Sequence, residues 1–326
     1  TIPPVMALME EMRSGISTYL GAADTILRPG GVDLKPAPDD YFSMEKNFFS
    51  MLFLYSFHRA GISRSHRRLY AATLQCLRGM VTGCDNLLDD EYKKTLDTDI
   101  PDTGTRFRSV VDIMVSDRVL FQILLDARKR GEITMAQVRA ALAVSMKTMI
   151  RSGVQEAAEE DGISAILKPD EILTAIHHYK TGILFQCPWD IPRVIETLDP
   201  ADTRPLLTGL YRIGLGCQVL DDLVDIGSDL ERRRHNFLVS LIHHGPFPDE
   251  KNRLGEWMAS NEPPVAVDPA VDFPGAVREA ARISRRFMED GFTLLLSDSS
   301  RFLAEPFIHF LHKRIGADSL IPGPES

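Results

Sequence analysis

The sequence is short of several things, and each shortage excludes a class. Its 326 residues include four cysteines, none paired as CxxC, so no disulfide framework or cysteine-built zinc centre is expected. Cys76, Cys84, Cys187 and Cys217 are scattered, three of them within apolar helical patterns, and read as buried, reduced thiols of a cytoplasmic protein. The longest apolar run, Phe48 to Phe57, is about half of the roughly 20 residues that a membrane-spanning helix needs. No integral membrane segment is expected, and the start of the sequence lacks the basic-then-apolar pattern of a secretory leader. Positive charge is scarce as well. Lysine and arginine number 37 against 46 acidic residues, a formal charge of −9, which argues against a nucleic-acid partner. Such a chain can still hold an anion where metal ions or local basic residues supply the positive charge. Finally, no stretch alternates apolar and polar residues for long enough to predict a sheet.

What is present is ordinary globular composition, 44% hydrophobic and 25% charged, with apolar residues at helical spacing almost throughout. The pattern predicts helices over residues 4–20, 40–60, 64–91, 105–130, 134–160, 169–196, 203–226, 236–244, 249–259, 275–297 and 301–315. Pro169, Asp170 and Glu171 suit a first helical turn. Gly61, Gly131 and Gly245 each follow a helical run, where glycine commonly ends a helix. Residues 28–38 and 246–274 are rich in proline or glycine and read as irregular. Neither shift in composition marks a boundary, so one domain over residues 1–326 is expected, with no internal repeat.

Two acidic clusters stand out. The first runs Cys84-Asp85-Asn86-Leu87-Leu88-Asp89-Asp90-Glu91, and the second Gln218-Val219-Leu220-Asp221-Asp222-Leu223-Val224-Asp225. In each, two aspartates four residues apart project from one helix face. Leucine and valine fill the positions between them, which predicts carboxylates close to an apolar interior. A charged helix end is the plain alternative, but it is costly. Like charges at this spacing cost about 0.2–0.5 kcal/mol per pair, Asp is roughly 0.7 kcal/mol worse than Ala in a helix, and Asp89, Asp90 and Glu91 crowd a carboxy-terminal end whose dipole repels anions. A divalent cation removes the penalty. Oxygen-only donors without nearby histidine suit Mg²⁺, which shares its shell with phosphates and water. Above Asp85 lie Val81, Leu77 and Leu74; above Asp221 lie the small residues Cys217 and Gly214. An apolar wall opposite small residues describes a cavity for an apolar chain with an anionic head, although packed core faces have the same pattern.

In chain order these residues resemble the trans-prenyltransferase (polyprenyl synthetase) branch of the class I isoprenoid synthases. Asp85 to Asp89 resembles its first aspartate-rich motif and Ser116-Asp117 its Gly-Asp segment. Gly153-Val154-Gln155 is similar to its Gly-Gln turn, and Lys180-Thr181-Gly182 to its Lys-Thr-Gly/Ala motif. Gly214 to Asp225 is similar to the second aspartate-rich motif with its lead-in. The resemblance spans about residues 40–244. It implies an all-α orthogonal helix bundle around a central apolar cavity, and three Mg²⁺ ions held by two facing aspartate motifs. By position, Asp85 and Asp89 would bind two ions, and Asp221, with Asp222 and Asp225, the third. Lys180 would contact the diphosphate, with Gln218 beside it. The substrate implied is a prenyl diphosphate, and dimerisation is implied by the resemblance alone.

Departures fall on the side that would take a second substrate. Where the family has Gly-Lys-Arg, this chain has Gly61-Ile62-Ser63-Arg64-Ser65-His66-Arg67-Arg68; where it has Arg-Arg-Gly, Tyr92-Lys93-Lys94-Thr95; and Asn86 replaces an aspartate. A compact turn carrying Arg232, Arg233 and Arg234 replaces the family's later loop and offers a diphosphate cap or a solvated basic turn. Phe49, Phe53, Tyr55 and Phe57 form an aromatic stripe, suited to core packing or to steadying a cation through the ring faces. The pattern favours a terpene synthase on the prenyltransferase scaffold, a lyase that cyclises or deprotonates the cation. The alternative is a chain-elongating or irregular prenyltransferase in which Arg64, Arg67 and Arg68 replace the missing lysine; a non-catalytic partner subunit is a third reading.

Overall fold

The computed structural model describes residues 5–89, 92–259 and 267–320. Asp90 and Glu91 of the first cluster, and Pro263 and Pro264 of the second irregular segment, lie outside them. The fold is all-α: among the described residues the only β-type pairing is an isolated antiparallel bridge between Leu34 and Thr98. No helix is long and apolar enough to cross a membrane among these residues. The chain forms two compact units, Thr1–Met146 with Pro188–Asp199, and Lys147–Cys187 with Pro200–Ser326.

In the first unit the helices are α1 (Val5–Leu27), α2 (Phe48–Arg59), α3 (Arg64–Leu88), α4 (Thr105–Lys129) and α5 (Met135–Val144). Ser63 caps α3 by accepting from the His66 N–H, and Thr134 and Gln137 close a reciprocal capping box on α5. Helix α1 crosses α3 very closely, since a Cβ on Gly15 would lie 2.4 Å from that of Ala71. The helix predicted over 40–60 begins only at Phe48, after a short 3₁₀ turn, Asp39–Phe42. Phe57 of the aromatic stripe is core, with ring centroids 5.6 Å from Tyr70 and 5.0 Å from Trp189. Phe53 is half-buried.

The expected basic cluster has a different role in this unit. Arg67 donates to both oxygens of Glu11 at 2.8 and 2.7 Å, and to the carbonyl of Ile62. Arg64 reaches Glu10 at 2.7 Å and Arg68 reaches it at 3.0 Å. All three arginines therefore bind α3 to acidic residues of α1. Their guanidinium groups, expected to meet a diphosphate, are engaged by these carboxylates in this structure. Glu11 is fully buried, a location a carboxylate tolerates only when paired.

Helix length is overestimated by periodicity in the middle of the chain. The helix predicted over 134–160 is two helices, α5 and Lys147–Ala157. That predicted over 169–196 becomes an 11-residue π-helix, Ile172–Gly182, and breaks before the four-residue helix Pro192–Ile195, with Pro188 withholding an amide donor between them. Residues after the break return to the first unit, where the Trp189 indole N–H donates to Ser56 at 3.0 Å and Tyr70 donates to Glu196 at 2.6 Å.

The second unit is built on the helices Pro200–Val224 and Pro274–Leu295. They meet through Gly209 and Gly291, where a Cβ on either would come within 2.8 Å of the other's carbonyl oxygen. Ser284 then donates to the Gly216 carbonyl at 2.7 Å, satisfying its buried hydroxyl. Of the three predicted helix-ending glycines, Gly61 and Gly131 are left-handed, φ 74° and 75°. Gly245 has φ −84°, and here a side chain is excluded by crowding instead, because a Cβ would meet the Leu241 carbonyl at 2.3 Å.

Removing one partner of a buried ion pair strands the other. Glu11→Leu should lower the unfolding free energy by about 3–5 kcal/mol in urea titrations, and Arg67→Leu on top of it should restore part of the loss. A loss below about 1 kcal/mol, the value of a solvated pair, would refute the assignment.

Candidate active site

The first aspartate segment closes α3. Asp85 is exposed on the last turn, and Asp89, half-buried, sits just past the end with its N–H donating to the Asp85 carbonyl at 2.8 Å. The intervening Leu87 and Leu88 are 39% and 37% exposed, contrary to the expectation that apolar residues at these positions put the carboxylates against the interior. The buried residue is Asn86. Its side chain pairs with one peptide on both sides, accepting from the Lys93 N–H at 2.8 Å and donating to the Lys93 carbonyl at 3.1 Å. An aspartate could make only the first of these bonds. The departure from the family pattern at Asn86 therefore secures the segment that follows the carboxylates.

Other groups hold the same segment. Tyr41 donates to the Thr95 carbonyl at 3.2 Å, and the buried Arg108 donates to the Pro101 carbonyl at 3.1 Å, to that of Ile100, and to Asp102 at 2.9 Å. Because Arg108 is turned to the loop, Asp112 one helical turn on keeps an Oδ2 with no hydrogen-bond partner. Burial raises its carboxyl from the ordinary 3.8 to about 6, against the opposing pull of Thr95 and Arg108. Ser116, of the Ser-Asp landmark, is also structural: its hydroxyl shares a 2.9 Å hydrogen bond with Tyr19. Upstream on α3, Leu77 is buried and Val81 half-buried.

The second unit gathers more of the expected residues. Along Pro200–Val224, Tyr211, Gly214, Gln218 and Asp221 follow at helical spacing. The π-helix beside it carries Lys180, Thr181 and Gly182. Its wider turn, bonding each N–H to the fifth carbonyl before it, continues to the Ile183 N–H, which bonds His178 O at 2.9 Å. Gly182 is required by Tyr211, whose ring would lie 2.5 Å from a Cβ. The space beside Gly214 belongs to Phe185, 2.9 Å from the position of a Cβ, so this small residue faces a ring and not the open cavity expected of it. Cys217 is buried, and burial pushes its thiol far above the usual range.

Asp222 is the hub. It is 3% exposed and accepts from His177 Nε2 at 2.9 Å, Gln218 Nε2 at 3.0 Å and the Phe237 N–H. Burial alone would raise its pKa, but His177, Gln218 and the Phe237 amide together hold it below the ordinary carboxylate value. Gln218 is engaged at both ends, since its Oε1 accepts from Thr181 and its Nε2 also lies 3.4 Å from Asp221. Asp221 and Asp225, in contrast, are exposed, one turn apart. Asp229 extends the same four-residue spacing by another turn, a residue that sequence reasoning missed although the repeat was visible. Burial, and then the charge of Asp222, raise its carboxyl to about 7, while Asn236 donates to it at 2.8 Å.

Lys180 Nζ lies 3.5 Å from Glu156 and 4.0 Å from the buried Glu159. Burial alone would lower its pKa, but the charges of Glu156, Glu159, Asp222 and Asp229 raise it, so the ammonium persists at neutral pH. Glu159 also accepts from the His235 N–H at 2.9 Å. Gly153-Val154-Gln155, expected at a turn, lies inside the helix Lys147–Ala157; Gln155 donates from there to Glu159 at 3.1 Å. In the arginine turn, Arg232 and Arg233 are exposed and Arg234 half-buried. Arg233 is left-handed, φ 54°, and is pinned to Ile163: its carbonyl accepts from the Ile163 N–H at 2.8 Å while its guanidinium donates to the Ile163 carbonyl at 2.9 Å.

Among the described residues no three His, Cys, Asp or Glu side chains converge as a complete metal cage. The donors nevertheless fit Mg²⁺, which typically takes one or two carboxylates and completes its shell with phosphate and water. Asp221 with Asp225, and Asp85 with Asp89, are such pairs.

Comparison with models of known families finds no match, and comparison with curated proteins finds none. Solved structures do match. A geranylgeranyl pyrophosphate synthetase from the archaeon Geoglobus acetivorans is 17% identical, with a TM-score of 0.60 over 95% of this chain and 98% of its own. A polyprenyl synthetase from Streptomyces coelicolor A3(2) is 19% identical, TM-score 0.58, over 94% and 99%. A polyprenyl synthase from Caulobacter crescentus CB15, complexed with calcium and isoprenyl diphosphate, is 13% identical, TM-score 0.59, over 95% and 98%. At these identities the likeness establishes the fold, which is the all-α fold of the prenyl diphosphate synthases.

Asp112 gives the unit carrying Asp85 a pH dependence. Its folded pKa lies above its unfolded one, so the folded state retains a proton the unfolded chain has released between about pH 4 and 6. Its contribution makes stability fall as pH rises through that window and then level off. Asp112→Asn should abolish that part of the slope in denaturant titrations from pH 4 to 8; an unchanged slope would show that Asp112 titrates normally.

Proposed function

We propose that the protein binds an allylic prenyl diphosphate with Mg²⁺ and breaks its carbon–oxygen bond. One observation carries the reading: a charged, half-buried Lys180 and the exposed pair Asp221 and Asp225 are organised within one unit around the buried, hydrogen-bonded Asp222. The prenyl-synthase fold supports it, as does the bound isoprenyl diphosphate of the Caulobacter relative. Asp221 and Asp225, and Asp85 with Asp89, would hold Mg²⁺, three ions in all by the family resemblance. When bound, the metal neutralises the diphosphate charge that grows as the bond breaks. Lys180 contributes a fixed ammonium to the same leaving group, and Arg232 and Arg234 supply further cations from the turn. The electron pair of the broken bond leaves with the diphosphate, and apolar side chains such as Leu77 and Val81 keep water from the allylic cation. We read the two units as acting as one domain.

Transfer of the cation to a second isoprenoid diphosphate is the fate that the structural likeness supports, and it leads. Cyclisation or proton loss to a terpene is the second reading, favoured by the engagement of Arg64, Arg67 and Arg68 with Glu10 and Glu11. Purified protein with Mg²⁺ and C10 to C20 allylic diphosphates, with and without isopentenyl diphosphate, decides between them. Longer diphosphates made only with the second substrate are expected. Hydrocarbon from the allylic substrate alone would establish the terpene synthase instead, and no diphosphate release under any condition would leave a non-catalytic partner subunit.

We further read α4 as a self-association face. Phe107, Met114 and Phe121 are 62%, 66% and 43% exposed and lie seven residues apart on one face. Antiparallel pairing of α4 with its copy about Met114 sets Phe107 against Phe121, an arrangement with two-fold symmetry. Light scattering should give a dimer mass, with Met114→Lys shifting it to monomer; a monomeric wild type refutes the assignment.

A further inference from the structure

His177 belongs to none of the motifs that suggested the reaction, and yet it is fully buried. Its Nε2 lies 2.9 Å from Asp222 Oδ2, and its Nδ1 has no hydrogen-bond partner among the described residues. An imidazole left half unsatisfied in a core is a destabilising choice, since an apolar side chain of similar size would strand no polar atom there. The one polar interaction that it makes must therefore account for its presence. That interaction joins the π-helix bearing Lys180 to the helix end bearing Asp221.

Asp222 in turn is 3% exposed, and protein donors take three of the four acceptor positions of its carboxylate. Oδ2 accepts from His177 and from the Phe237 N–H, and Oδ1 accepts from Gln218. Its backbone carbonyl accepts from Asn236 at 2.8 Å, and the same Asn236 amide donates to Asp229 at 2.8 Å. Three segments thus converge on one residue: the π-helix, the end of Pro200–Val224, and the stretch that follows the arginine turn. Asp221, next to it, is exposed. Two adjacent aspartates of one motif therefore sit in opposite environments, one toward solvent and one within the core.

We propose that His177 and Asp222 are positioning residues: Asp222 binds no metal, and the pair sets Lys180, Gln218 and the arginine turn in place for the diphosphate. The proposal rests on the prenyl-diphosphate reading above and reassigns one of the three aspartates first expected to bind metal. Asp221 and Asp225 are the metal-binding carboxylates of this segment. His177 acts through the Nε2 bond, so a side chain that restores a donor at that point restores the function.

The test uses the full chain and calorimetry, with inorganic diphosphate titrated at saturating Mg²⁺ and Mg²⁺ titrated at fixed diphosphate. His177→Phe and Asp222→Asn should weaken diphosphate binding by about tenfold or more, the worth of a hydrogen bond to a charged group. Both should leave the half-saturating Mg²⁺ concentration unchanged. His177→Gln, whose amide nitrogen can donate from the Nε2 position, should recover most of the affinity. Asp221→Asn should instead raise the Mg²⁺ requirement. An increase in Mg²⁺ requirement for Asp222→Asn equal to that for Asp221→Asn would overturn the proposal, and so would wild-type diphosphate binding by His177→Phe. If His177→Phe fails to fold, Asp222→Asn and His177→Gln decide by the same two readouts. A wild type that takes up no diphosphate with Mg²⁺ sinks the functional reading and the proposal together, whereas normal uptake with a metal-sensitive Asp222→Asn sinks the proposal alone.

Discussion

A carboxylate taken out of water must have its charge met by donors that are already in place. In the second unit that carboxylate is Asp222, and its donors come from parts of the chain that are far apart in sequence. His177 comes from the π-helix, Gln218 from the preceding turn of its own helix, and the Phe237 amide from the start of the short helix Phe237–His244. Meeting this one charge fixes the relative placement of Lys180, Asp221 and the arginine turn. The π-helix has a corresponding physical role. Its wider turn places His177 and Thr181 toward Asp222 and Gln218 while Lys180 keeps its contacts with Glu156 and Glu159. Irregular helical turns of this kind recur at functional sites.

The first unit handles its aspartates differently. Asp85 and Asp89 lie at the end of α3, where the dipole opposes them, and Asn86 between them carries no charge. The same residue spends both halves of its amide on the Lys93 peptide, so it relieves repulsion and orders the following segment at once. Arg108 and Tyr41 continue that ordering by donating to loop carbonyls. Asn86, Arg108 and Tyr41 thus each serve the backbone, whereas Asp112 keeps a buried oxygen with no hydrogen-bond partner.

Much of this was legible from sequence, for identifiable reasons. The all-helical character followed from apolar spacing, and the ordered landmarks named Lys180, Gln218, Asp221 and Asp222, all of which lie in the second unit. What spacing could not show was direction within a motif. Adjacent aspartates such as Asp221 and Asp222 look equivalent in sequence, and only tertiary donors distinguish them. Leu87 and Leu88 appeared to be interior for the same reason, although the helix end turns them outward. Arg64, Arg67 and Arg68 looked available because Glu10 and Glu11 lie more than 50 residues away in the chain. Helix ends were misjudged where a 3.6-residue period was assumed across a π-helix and across Ser145 and Met146.

The central claim is that Lys180, Asp221 and Asp225 of the second unit serve one metal–diphosphate ligand. Hydrogen exchange of the full chain tests it most directly, with Mg²⁺ and inorganic diphosphate added singly and together. The account predicts slowed exchange at residues 221–236 only when both are present. Equal protection by diphosphate alone, or no protection of that segment, would contradict it.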